Sequence, residues 1–112
     1  MEKKVKIAGK EVVLAYNLAT QIRFEERTGR MLDLDRVKTV GDTVQLLLSS
    51  IEANNDGTDF TEEDLTKRSS LTEFKKATTA LAQCMVAYFQ TPKIAEAHVD
   101  TVEEEGEPGK NA

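Results

Sequence analysis

The chain has 112 residues, with 15 Lys and Arg against 20 Asp and Glu for a formal net charge of −5, and a single cysteine. That length gives one domain able to bury a core without metal or disulfide, the acidic balance speaks against a nucleic-acid partner, and a lone cysteine excludes an intramolecular bridge. No stretch approaches the roughly twenty apolar residues of a membrane-spanning helix, and Lys3-Lys4 leads into an alternating strand where a secretory signal needs an apolar run, so a soluble, cytosolic protein is expected.

Val5 and Ile7 alternate with Lys4 and Lys6, and Val12, Leu14 and Tyr16 with Val13 and Ala15, the period of two of half-buried strands. Gly9-Lys10 reads as a type II′ turn, which sets Ile7 opposite Val12 and Val5 opposite Leu14 with the apolar side chains on one face. Asn17 is placed to cap a helix that Gly29 ends in the left-handed conformation.

From Arg30 to Thr39, Leu32, Leu34 and Val37 can tuck inward as a turn of helix or an irregular link. Asp42, with Gln45 three residues on, reads as the cap of a helix whose Val44, Leu47, Leu48 and Ile51 share one buried face, widened by Leu46. Asn54-Asn55-Asp56-Gly57 closes it. Thr61 and Asp64 cap a short helix, with Phe60 set to staple against Leu65 and with Glu62 and Glu63 at the positive end of the helix dipole.

Ser70 and Glu73 open the longest helix. There Phe74, Ala77, Leu81, Met85 and Tyr88, flanked by Thr78, Ala82 and Phe89, form one stripe to about Gln90. Thr91-Pro92 is a natural stop.

The fold expected is mainly α with an N-terminal β-hairpin, an α+β domain of about four helices packed on two strands and spanning residues 1–92. Residues 93–112 read as an acidic, disordered tail, with two basic and six acidic residues against 13 and 14 up to Pro92. The tail fits a solubilising appendage and equally an arm for a basic or amphipathic partner.

Chemistry is sparse. Glu52, Asn54, Asp56, Gly57, Thr58 and Glu63 fall on positions of a calcium loop, but Glu replaces the leading Asp, Asp59 stands where an aliphatic is expected, and Glu63 belongs to the first turn of the following helix. An ordinary polar turn is the preferred reading. His98 lies in the tail without a fixed partner, Glu25 and Glu26 point about 100° apart on a helix, and Cys84 sits in an apolar pattern. No catalytic, cofactor-binding or metal-ligating residue is assigned, and an enzyme is not expected. The candidates left are for partner contact. Leu46, Ala80, Ala87 and Phe89 fall off the main stripes and offer an apolar patch to a partner or a second subunit, and Glu103, Glu104 and Glu105 offer an acidic one.

The order of these parts carries a resemblance. The Gly9-Lys10-Glu11 turn is followed by a helix closing on Glu25-Glu26-Arg27-Thr28-Gly29, then by Leu32 and Leu34. After the helix with Leu46-Leu47-Leu48 come the acidic turn, the Phe60-Thr61-Glu62-Glu63-Asp64-Leu65 start and the long last helix. Over residues 3–90 this resembles the small tail assembly chaperones of long-tailed bacteriophages. The resemblance implies a non-enzymatic protein of the bacterial host's cytoplasm that binds the tape measure protein, keeps it soluble, helps recruit tail tube subunits and is absent from the finished virion. It also implies that a ribosomal frameshift near Pro92 can append a second domain, as in many such phages. Two other classes stand beside it: a structural minor tail or connector protein, and a calcium-responsive module.

Overall fold

The structure, a computed structural model, describes residues 1–90, and the expectations for 93–112, including His98 and Glu103 to Glu105, lie outside them. Strands β1 (Glu2–Ile7) and β2 (Lys10–Ala15) form an antiparallel hairpin, followed by helices α1 (Leu18–Thr28), α2 (Val40–Asn54), α3 (Glu62–Thr66) and α4 (Leu71–Phe89). A single 3-10 turn, Leu34–Arg36, fills the α1–α2 connection and lays Leu32, Leu34 and Val37 against the core.

The hairpin turns one step earlier than expected. Ala8 and Gly9 are its central residues, with φ of 54° and 79°, the pair of positive values that a type I′ turn requires. Val5 therefore pairs with Val12, Lys3 with Leu14, and Ile7 with Lys10. Relative to the Gly9-Lys10 turn the register moves by two residues, and an even shift leaves every side chain on its original face. Ile7, Val12 and Leu14 are accordingly all buried.

In this register Val13 and Ala15 turn their backbone groups away from β1, and α2 meets them with side chains. Asn55 accepts from the Val13 amide through Oδ1 at 2.9 Å and donates to the Val13 carbonyl through Nδ2 at 2.9 Å. Ser50 Oγ accepts from the Ala15 amide at 3.0 Å and donates to its carbonyl at 2.8 Å. A helix thus satisfies a strand edge that would otherwise need a third strand.

Local signals place the helix ends. Asn17 accepts from the Thr20 amide at 2.9 Å, and Gly29, at φ 74°, donates to the Glu25 carbonyl at 2.8 Å. Capping boxes close on Thr61 with Asp64 and on Ser70 with Glu73. Phe60 and Leu65 both lie in the core, as the staple requires. The start of α2 corrects the sequence reading: Thr39 is the cap, its hydroxyl accepting from the Asp42 amide at 3.0 Å, and Asp42 is free to pair with Arg30.

α2 packs against α1, β2, α3 and α4. Enclosed on several sides, it buries an unbroken run from Leu46 to Ile51 together with Val44, more than one amphipathic stripe. α4 buries Ala77, Ala80, Leu81 and Cys84, with Phe74, Met85 and Tyr88 half-buried beside them. Among the described residues no helix is long and apolar enough to cross a membrane.

Candidate partner-binding surface

Most charged side chains in the interior margins serve the fold. Arg27 joins three elements: its guanidinium donates to Gln45 at 3.0 Å and Glu52 at 2.7 Å on α2, and to Glu62 at 3.0 Å on α3. Asp64 is only 4% exposed. Its carboxylate accepts from the Thr61 amide at 2.9 Å, from Lys10 at 3.0 Å and from Arg68 at 3.0 Å. These donors, the Thr61 amide foremost, hold its carboxyl down at about 2, and the bond to Asp64 foremost raises the Lys10 ammonium above its usual range. Glu73 lies below the carboxylate range through the amides of Ser70 and then Ala8, with smaller help from Lys6 and Lys76.

The residues of the possible calcium loop are drawn apart by other partners. Glu52 pairs with Arg27, Asn54 bonds Asn17 and Thr20 around the Ala15 carbonyl, and Glu63 faces Lys67 and Arg68. Among the described residues no three acidic, His or Cys side chains stand close enough together to hold a metal ion. Cys84 is buried, donates weakly to the Leu14 carbonyl at 3.6 Å, and has its thiol pushed up by burial, the opposite of what an activated nucleophile needs.

The outer side of α4 is where apolar surface remains. Val86 and Phe89 are each 53% exposed. With Met1, Ala82 and Ala87 they make the apolar parts of this face, and all but Phe89 line a groove of about 530 Å³ that Gln90 also lines. Phe89 is held in place by an aromatic cluster, its ring centroid 5.3 Å from Tyr88 and 5.8 Å from Tyr16, while Tyr16 and Tyr88 meet edge-on at 5.2 Å. Such a side chain offers apolar area with little rotamer entropy left to lose on binding.

Further along α4 toward its start, the groove adjoins a hollow of about 280 Å³ lined by Lys75, Lys76, Thr79, Ala80 and Gln83. Thr79 and Gln83 are shared by both. Lys4 and Lys6 on the solvent face of β1 are also exposed. The surface is therefore apolar at the C-terminal end of α4 and basic toward its N-terminal end.

Of the expected contact residues, Leu46 and Ala80 belong to the core, 4% and 8% exposed, because the enclosed α2 and the hairpin-facing side of α4 each bury more than one stripe. Ala87 and Phe89 remain on the surface. Sequence reasoning missed Val86 and Met1, and put Ala82 beside the buried stripe although it is exposed. The spacing Ala82, Val86, Phe89 is itself an i, i+4, i+7 pattern and marks a second apolar face on the same helix. Comparison of the chain with protein-family models, curated proteins and solved structures finds no match.

Proposed function

We propose that the chain is a phage tail assembly chaperone that binds the tape measure protein, keeps it soluble and helps recruit tail tube subunits in the cytoplasm of the bacterial host. The observation that carries the reading is the second apolar face of α4, with Val86 and the anchored Phe89 half-exposed on a helix whose opposite side is locked into the core. A long helical partner with an apolar stripe can lay that stripe along such a face, and many small copies can cover it along its length. The order of sequence features from the Gly9-Lys10-Glu11 turn to the long last helix, which resembles that of the tail assembly chaperones, supports the same reading.

Co-expression of this chain with the large coiled-coil tape measure protein of the same genome, followed by affinity capture and sizing, tests it. A soluble complex with several copies per tape measure is expected. An insoluble tape measure with nothing captured would overturn the chaperone reading, and recovery of the chain from purified virions would replace it with a structural tail component.

A further inference from the structure

We propose that the groove on the outer face of α4 is a docking site for the chain's own acidic segment, residues 92–107, which folds back along the helix. Place is the first argument. Gln90 lines the groove, so the chain leaves the described domain at the mouth of the surface in question. Pro92, two residues on, lacks the amide that would continue the helical hydrogen bonding.

The order of chemistry is the second. Read backward from Gln90, α4 presents Val86 and Ala82 and then Lys75 and Lys76. β1 runs alongside in the matching sense, with Met1 at the groove and the Ala8 amide bonded to Glu73 at 3.2 Å near the start of α4, which brings Lys4 and Lys6 toward the basic end. The segment's apolar residues come in the same order: Ile94, Val99 and Val102, interspersed with Lys93, Glu96 and Asp100, come first and Glu103-Glu104-Glu105 follow. Apolar residues then meet the apolar end and carboxylates meet the lysines.

Reach is the third. From Gln90 back to Lys75 is about 22 Å at the helical rise, whereas the thirteen residues from Gln90 to Glu103 span up to about 43 Å extended. A tether this short holds the segment at an effective concentration of about millimolar, so weak contacts suffice. On the chaperone reading, a partner helix must displace this segment, and docking of the segment itself is measurable without any partner.

The test uses the full chain carrying Thr101→Cys with a nitroxide on the new thiol, Cys84 being buried. Amide signals in the ¹⁵N-labelled protein are compared with those of the reduced label. Selective loss of intensity at Lys75, Lys76, Gln83 and Lys6 is expected, together with its recovery in Lys75→Glu/Lys76→Glu. Even or absent broadening would overturn the proposal, as would broadening that survives the charge reversal. Broadening seen only when labelled and isotopically enriched chains are mixed would assign the groove to a second copy and overturn it likewise. None of these outcomes depends on the tape measure, so failure here leaves the capture experiment standing.

Discussion

Asp64 concentrates much of what single side chains do in this domain. Its carboxyl is held at about 2, below the value of about 3.9 expected unfolded, so the stabilisation is complete above that unfolded value and is lost as pH falls through about 2. Melting temperature should drop between about pH 4 and pH 2, and Asp64→Asn should lower it at neutral pH while flattening that drop, which paired thermal melts across the range would show. Ala8 offers a gain instead. It holds positive φ at the first turn position, where L-residues other than Asn, Asp and Gly are strained, so Ala8→Asn should stabilise by about 0.5–1 kcal/mol in urea unfolding. Asn55→Ala should cost about 1–3 kcal/mol, because both backbone groups of Val13 lose their partner, and hydrogen exchange at the Val13 amide should accelerate.

At the scale of elements, α4 has two apolar faces with different duties. On the chaperone reading, Val86→Glu should change stability by less than about 1 kcal/mol, since the position is half-exposed, yet abolish capture of the tape measure. Wild-type capture by that variant would move the contact elsewhere. Helix ends were legible in the sequence because capping is local: Asn17, Gly29, Thr61 and Ser70 each act within a few residues. Two local choices went the other way for reasons that lie far along the chain. The turn at Ala8-Gly9 is tied by Glu73 from α4, and it places Lys10 within reach of Asp64. Thr39 takes the cap of α2 while Asp42 pairs with Arg30. The candidate surface was half legible, since Ala87 and Phe89 lie off the buried stripe as read, whereas Leu46 and Ala80 are enclosed by neighbours that no single-helix periodicity reveals.

Across the whole molecule, α2 is the spine, with the hairpin, α1, α3 and α4 arranged around it, and Arg27 ties α1 to both α2 and α3. Arg27→Lys removes the forked geometry that reaches Gln45, Glu52 and Glu62 together, so it should destabilise the domain although charge is kept, and salt should narrow the difference from wild type in thermal melts. The hairpin's edges are unequal in a way that matters when many copies crowd together. One edge is consumed internally by Asn55 and Ser50, so among the described residues only β1 is left to nucleate sheet growth, and there Lys4 and Lys6 repel an identical neighbour. A protein built this way can reach high local concentration while its copies resist polymerising through their strands.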